Sequence, residues 1–318
     1  MSKEVLDDRE VLVRLARDKP TPPYTLDEEL TFFCPQENLE GLDLPVVQRF
    51  HKWVTGDFEP APVEDRAVML LLPCEKEKPY SLSAEHRAVS LALAAAGFEA
   101  RERGDWPEEI GDLASLAELS NAPLYGPNGL RVDRAVISEP FGIVPYEAIY
   151  RWQGELTPCA RYDDPGLFEH RGIGPVWRDD CTASRTASGY SWGDNERQAY
   201  VEVHERLSEL IDRVLNRLAP SYDAILAYVG HTLTHRTFLC DSREREDAGI
   251  PVSRKTPSGN ARLIGVNDRS PGLVSLVPDA VGLDRIRDAS GGRLPAGFLT
   301  GQPSLNLLVE TLTGLDEK

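Results

Sequence analysis

Ala67-Val68-Met69-Leu70-Leu71-Leu72 is a continuous apolar run of strand length, closed by Pro73. A strand with one wet face alternates apolar and polar residues, so an unbroken run predicts a strand covered on both faces, as in a parallel sheet. Downstream, Ser83 to Ala96 is rich in alanine and leucine and reads as a helix, with Ser83 placed to cap its first turn. The same order recurs along the chain. Arg134-Ala135-Val136-Ile137-Ser138 reads as a second strand, entering the loop Glu139-Pro140-Phe141-Gly142-Ile143-Val144-Pro145. A long helix from Glu196 to Leu218 precedes a third strand, Ala224-Ile225-Leu226-Ala227-Tyr228-Val229, which opens into Gly230-His231-Thr232. Strands alternating with helices predict an α/β fold with a mainly parallel sheet flanked by helices. Ligands of such sheets bind beyond the carboxyl ends of the strands. The three polar loops are therefore expected to converge on one edge.

The flanks are less regular. Residues 1–30 are charged and hold Pro20, Pro22 and Pro23, which predicts a short helix and an extended arm. Val46 to Val54 reads as an amphipathic helix cut off by a linker at Pro60 and Pro62. Residues 153–195 carry Gly, Pro, Trp and charge with little periodicity and read as a substrate-facing insertion. From Arg236 to Gly297 the chain is again rich in Gly, Pro and Arg. The expected organisation is an N-terminal arm and helix (1–62), an α/β catalytic core (63–235) and a C-terminal region packed on that core (236–318).

Composition narrows the class. The chain has 318 residues, 41% of them apolar, and a formal net charge of -17. No apolar run approaches the roughly 20 residues of a membrane span. The N-terminus has no basic segment followed by an apolar one, so a cytoplasmic protein without a membrane partner is expected. The acidity argues against a generic nucleic-acid coat, which would be basic. However, only seven of the 35 basic residues are lysine. An acidic, arginine-rich, lysine-poor chain suits high salt or a high-GC genome, so its charge reports the solvent as much as the ligand. Cys34, Cys74, Cys159, Cys181 and Cys240 are scattered without a CxxC pair, so local spacing supports neither a metal site nor a disulfide framework. No metal and no cofactor are expected.

Cys74 stands where the first strand ends. A following helix N-terminus, with Lys76 and Lys78 nearby, favours a thiolate, and a thiolate attacks electrophilic carbon. Tyr80 and His86 can donate or accept protons. The spacing alone equally allows Cys74 to pack behind the strand with the lysines solvated.

The pattern PC-x3-KPY-x2-S-x2-H, filled by Pro73, Cys74, Lys78, Pro79, Tyr80, Ser83 and His86, resembles the signature of the archaeosine synthase catalytic core. Val136 to Pro145 resembles that family's strand and "SPLG-x-VP" loop. Ala160-Arg161-Tyr162-Asp163-Asp164-Pro165 is similar to its "AAHYDxP" segment. The likeness spans residues 45–235 and implies a layered α/β domain of the uracil-DNA-glycosylase-like kind. It also implies chemistry on the nitrile of 7-cyano-7-deazaguanine within nucleic acid. Three features depart from the pattern: Glu139 stands at a small-residue position, Arg161 at a histidine position, and 166–195 looks private to this chain. No segment matches the transglycosylase-like region or the appended RNA-binding domain, which moves the expected polymer from tRNA toward DNA. A small nitrile-hydrating protein of deazaguanine DNA-modification clusters is the second likeness, and a transglycosylase of the same pathway is an expected partner.

The resemblance implies these roles. Cys74 forms a thioimidate with the nitrile, assisted by Lys78. Asp163 or His86 protonates the nitrogen, and Glu139 or His86 activates water. In a competing version Cys74 only binds the base while water or an amine adds directly. Tyr80, Ser83, Phe141, Gly142, Tyr162, His231 and Thr232 are candidate substrate contacts, although Phe141 and Tyr162 equally suit the core. His51, His170 and His204 read as surface or packing residues. The basic stretch with His235-Arg236, Arg243, Arg245, Arg254, Lys255 and Arg262 is a candidate phosphate-contacting patch. Addition of lysine to the nitrile in tRNA, and a non-catalytic nucleic-acid-binding or stress-response module, are the competing functions. Whether the base is flipped out of a duplex stays open.

Overall fold

The apolar run lies at the centre of the molecule. The computed structural model describes residues 8–62, 66–127, 129–168, 175–187, 189–231, 234–295 and 297–315. The strands of the main sheet are β1 (Ala67–Pro73), β2 (Glu99–Ala100), β3 (Leu124–Tyr125), β4 (Arg131–Ser138), β5 (Gly142–Pro145), β6 (Ala224–Tyr228) and β7 (Ser275–Val277). All seven residues of β1 are buried. Apolar side chains on both faces of β1 demand cover on both, and the sheet provides it with parallel neighbours on either side, β6 and β4. The spatial order is β7-β6-β1-β4-β3-β2, in the present numbering, with β5 also paired to β4. β7 runs parallel to β6, whereas β3 and β5 pair antiparallel with β4. The result is a mixed α/β architecture with a mainly parallel central sheet flanked by helices.

β4 begins three residues earlier than the apolar pattern implies, because its first half carries charge. The Arg131 Nε and Nη2 donate to Asp133 Oδ1 and Oδ2, both at 2.7 Å, and Tyr222 OH donates to Asp133 Oδ2 at 2.9 Å. The Arg134 guanidinium lies 4.1 Å from the centroid of the Tyr146 ring and donates to Ser90 Oγ and to Ala122 O. Arg131 and Asp133 neutralise each other and Arg134 is held by neutral acceptors and an aromatic face, and all eight residues of β4 are buried.

Residues 139–145 were expected to form an open loop. They form a hairpin, with β5 returning along the distal half of β4 through pairs from Ser138–Gly142 to Ala135–Pro145. Gly142 turns the chain at φ +74°, and a Cβ there would come within 2.7 Å of Leu210 Cδ2. This position requires glycine for backbone freedom and close approach to a helix, which corrects its expected role as a substrate contact.

The helices are α1 (Arg9–Ala16), α2 (Pro35–Gly41), α3 (Pro45–Lys52), α4 (Ala84–Ala95), α5 (Leu116–Leu119), α6 (Asp194–Leu218), α7 (Thr234–Leu239), α8 (Ser242–Ala248), α9 (Val266–Arg269), α10 (Ala280–Ala289) and α11 (Gln302–Gly314). One group joins α4 with α5 and α11, and another joins the long α6 with α2, α7 and α9. Ser83 caps α4 as expected, its Oγ accepting from the His86 backbone N–H at 3.3 Å. Ser83 is itself 1% exposed, so it serves the helix and not a ligand. α3 continues as a wide π turn over Trp53–Asp57, and the His51 Nε2 contacts Pro140 O at 2.8 Å, steadying the hairpin turn.

Two expected boundaries dissolve in three dimensions. The C-terminal region places β7 in the main sheet. The N-terminal arm is laced to the site loops: Thr21 N–H donates to Lys78 O at 2.8 Å, and Phe32 N–H donates to Asp163 O at 2.8 Å. The insertion supplies short hairpins, Arg151–Trp152 with Glu155–Leu156 and Ser184–Arg185 with Tyr190–Ser191. No helix among the described residues is long and apolar enough to cross a membrane.

Candidate active site at the carboxyl ends of the parallel strands

Register brings the site together. Pro73 pairs with Ile137 at the end of the β1–β4 ladder, and Cys74 N–H donates to Ile137 O at 2.9 Å. One residue past each strand therefore places Cys74 beside Glu139. β6 flanks β1 on the other side, and the chain that leaves it enters α7, whose second residue is His235. Three neighbouring strands thus deliver a thiol, a carboxylate and an imidazole to one point.

The geometry is tight. The Cys74 thiol donates to Glu139 Oε2 at 3.2 Å, Cys74 Sγ lies 3.2 Å from His235 Nε2, and His235 Nε2 lies 3.3 Å from Glu139 Oε2. Glu139 and His235 are buried, and Cys74 is partly open to a cavity of about 310 Å³. Lys19, Glu85, Asp163, Asp164 and Phe168 share in lining that cavity. Its size is at the lower end of the range for small-ligand pockets.

The charge states follow from burial and neighbours. Burial, and then the Glu139 carboxylate, push the Cys74 thiol well above its usual range, with Lys78 opposing. The expected resting thiolate is corrected accordingly. The helix whose N-terminus was to stabilise it starts ten residues away, at Ala84. Lys76 turns to Glu77 at 3.6 Å, and the Lys78 Nζ donates to Glu75 O and lies over the Tyr162 and Tyr80 rings at 4.4 and 4.8 Å. The thiol must therefore lose its proton during attack, to a base in contact with it. Burial works to raise Glu139, but the charge of His235 and hydrogen bonds from His235 and the thiol outweigh it and hold the carboxyl below its usual range. Asp164 goes the other way: burial, then Glu139, raise it well above the carboxylate range, against Lys78. Its Oδ2 is shielded from solvent and has no hydrogen-bond partner among the described residues. A carboxyl raised toward its protonated form thus lines the cavity, while one held toward its ionised form lies behind Cys74, an arrangement suited to acid–base work.

Several expected site residues are placed elsewhere. Asp163 lines the cavity but forms an ion pair with Lys19 and exchanges backbone hydrogen bonds with the N-terminal arm, which leaves its neighbour Asp164 as the carboxyl that burial raises. His86 is spoken for at both ring nitrogens, by Tyr146 OH at 2.7 Å and Pro73 O at 2.8 Å, and it acts as a strut beneath β1. Tyr80, Tyr162 and Ser138 join hydroxyls at 2.8 to 3.3 Å, forming a buried floor. Tyr162 and Phe141 pack edge to face at 5.4 Å and are inaccessible to a stacking base. Phe168 is the aromatic ring at the cavity wall. His231 packs on Phe298 at 5.1 Å, and Thr232 and His170 lie outside the described residues.

The expected phosphate patch is split by burial. Arg236 donates to Pro278 O at 3.1 Å and Arg245 to Cys240 O at 3.3 Å, both from inside the protein. Arg254 lies 5.0 Å from the centroid of the Tyr200 ring. Of the candidate set Arg243, Lys255 and Arg262 are exposed, with Arg243 4.0 Å from Asp247 and Arg262 paired with Asp268 at 2.7 Å. Conversely, the sequence reading missed His235 and Asp164 as reactive groups. The available signals were a histidine just past the third strand and the doubled Asp163-Asp164.

A pH dependence follows from the struts. Burial, opposed by the Pro73 carbonyl and reinforced by Arg134 and Lys78, pulls the His86 imidazole down to about 4. Burial, reinforced by Arg245, pulls His204 down to about 3. Both rings bind a proton more readily in the unfolded chain, so their contribution is full above the ordinary histidine range and is lost as pH falls through it. For His86 the loss between about pH 7 and pH 4 is on the order of 3 kcal/mol. Urea midpoints measured across this range should drop, and the drop should be shallower in His86→Gln. An equal slope in that variant would exclude His86 as the source.

No protein family, curated protein or solved structure matches the chain.

Proposed function

We propose that the chain hydrates the nitrile of 7-cyano-7-deazaguanine in DNA to a carboxamide, on a layered α/β domain of the uracil-DNA-glycosylase-like kind. The observation that carries this reading is the Cys74–Glu139–His235 cluster, whose Cys74 and His235 line one cavity with Asp164, a carboxyl that burial raises well above its usual range. The sequence resemblance supplies the nitrile; the cluster supplies what a nitrile requires. Addition to a nitrile needs a nucleophile at carbon and a proton at nitrogen in the same step.

Cys74 Sγ attacks the nitrile carbon as its proton passes to Glu139, the carboxylate to which the thiol already donates. Asp164 delivers a proton to the nitrogen, giving a neutral thioimidate. Water then adds to the thioimidate carbon as the ionised Asp164 passes one of the water's protons to the nitrogen. Collapse of the adduct breaks the C–S bond: Glu139 returns the thiol proton to sulfur, the hydroxyl proton restores Asp164, and the amide leaves. The sum is nitrile plus water to carboxamide, with the protein unchanged. Lys78 supports the reaction from below, offsetting negative charge near Cys74 without reaching substrate.

The test is incubation with DNA and, separately, tRNA carrying the 7-cyano base, followed by nucleoside mass spectrometry. The expected product is DNA nucleoside heavier by one water. An amine adduct in tRNA would replace the hydration reading, and unchanged nucleosides in both would overturn it.

A further inference from the structure

The geometry points to a second occupant of the Cys74–Glu139–His235 triangle: a zinc ion held by Sγ, Oε2 and Nε2, with its fourth position open to the cavity. The three donor atoms stand 3.2, 3.2 and 3.3 Å apart. Around a tetrahedral zinc with ordinary bond lengths, donors of these types stand about 3.4–3.6 Å apart. Each donor needs to retreat by only a few tenths of an ångström, within what side-chain rotation provides.

Hydrogen bonding alone does not account for the triangle. Its three edges share at most two protons, one on the thiol and one on Nε2, because a carboxylate only accepts. One edge therefore brings two heavy atoms together with no proton between them. The outer atoms of the cluster are also bare: Glu139 Oε1 and His235 Nδ1 have no partner among the described residues, in side chains 1% and 3% exposed. Buried polar groups are normally satisfied, so the described protein groups around the cluster do not close it by hydrogen bonding. An ion at the centre compensates all three donors together. Thiolate, carboxylate and neutral imidazole sum to two negative charges, which one zinc ion neutralises in a poorly solvated site. A thiolate with an imidazole is also a donor set that suits zinc.

Zinc and the nitrile then compete for the same sulfur. The metal-loaded chain is a protected form with Cys74 bound, and removal of the metal frees the nucleophile. The competition rests on the covalent role proposed for Cys74; the zinc site itself does not.

The experiment uses the full chain, stripped with chelator and titrated with Zn²⁺ alone, followed by competition with a chromophoric chelator. One ion should bind per chain, and His235→Ala or Glu139→Gln should weaken binding by about 100-fold or more, with folding confirmed by circular dichroism. Two readouts on the unaltered chain guard against variants that fail to fold. Co²⁺ should give a thiolate charge-transfer band, and Zn²⁺ should slow iodoacetamide labelling of Cys74 by about tenfold or more, read by peptide mass mapping. Absence of stoichiometric binding, or labelling that Zn²⁺ leaves unchanged, overturns the proposal. Failure of nitrile hydration by the metal-free chain would instead overturn the catalytic reading and leave the zinc result standing.

Discussion

Cys74→Ala is expected to lower turnover of a 7-cyano-7-deazaguanine substrate by at least about 10⁴-fold, the scale seen when a covalent nucleophile is removed. The argument is geometric. Among the described residues, Cys74 supplies the atom that contacts both the Glu139 carboxylate and the His235 imidazole while the residue lines the cavity. In the alanine variant those two groups remain, along with Asp164, so water activation and nitrogen protonation survive. What is lost is the addition step alone. Residual turnover above roughly a hundredth of wild type, about 2.7 kcal/mol in barrier, would mean that water adds directly and the thiol only positions the base. The fold should tolerate the change, since Cys74 is only partly buried and surrenders two weak sulfur contacts, to Glu139 and His235, a cost of about 1–2 kcal/mol. Trapping of a protein–DNA adduct by wild type, and none by Cys74→Ala, is the companion measurement.

The second large effect is on stability and lies at the opposite end of β4. Asp133→Ala should destabilise the fold by about 3–5 kcal/mol, because it leaves a buried guanidinium without its counter-charge. Arg131 and Asp133 are 4% and 5% exposed and are joined by two bonds of 2.7 Å. Burial works to lower the Arg131 pKa, and the Asp133 bonds and charge more than offset it. The Tyr222 hydroxyl loses its acceptor as well. Against a typical total of about 5–15 kcal/mol, this is a large fraction of the stability. Urea unfolding at neutral pH should show the midpoint fall, with Tyr222→Phe costing only about 1 kcal/mol as the comparison. Turnover per folded molecule should hold, since the pair sits at the start of the strand and the reactive cluster beyond its end. A midpoint shift no larger than that of Tyr222→Phe would show that Arg131 finds adequate partners in Ala61 O and Pro62 O.

Much of the fold was legible because burial on both faces leaves an unmistakable mark. Ala67 to Leu72 and Ala224 to Tyr228 are apolar without interruption, and the helices between them carry their own caps and periodicity. Where charge is compensated inside the protein, the mark fades. The start of β4 was hidden by Arg131 and Asp133, which pair with each other along the strand, and by Arg134, whose partners lie on other elements. The hairpin after Ser138 was hidden because Glu139 and Pro140 read as loop residues. β7 is three residues long and announces nothing until β6 lies beside it.

The site divides along the same line. By itself the amino-acid sequence determined that an apolar parallel strand ends at Pro73, that Cys74 follows it, and that Glu139 and a histidine-bearing segment follow neighbouring strands. Those are statements about one chain segment at a time, carried by local pattern. Tertiary structure decided which of the polar residues meet. It set Glu139 and His235 on the Cys74 thiol, turned His86 to Tyr146, drew Arg236 and Arg245 into the interior, and paired Asp163 with Lys19 while leaving Asp164 Oδ2 without a hydrogen-bond partner among the described residues. The physical reason is that strand register and burial, which no local window contains, set both the distances between reactive groups and the dielectric that fixes their charge.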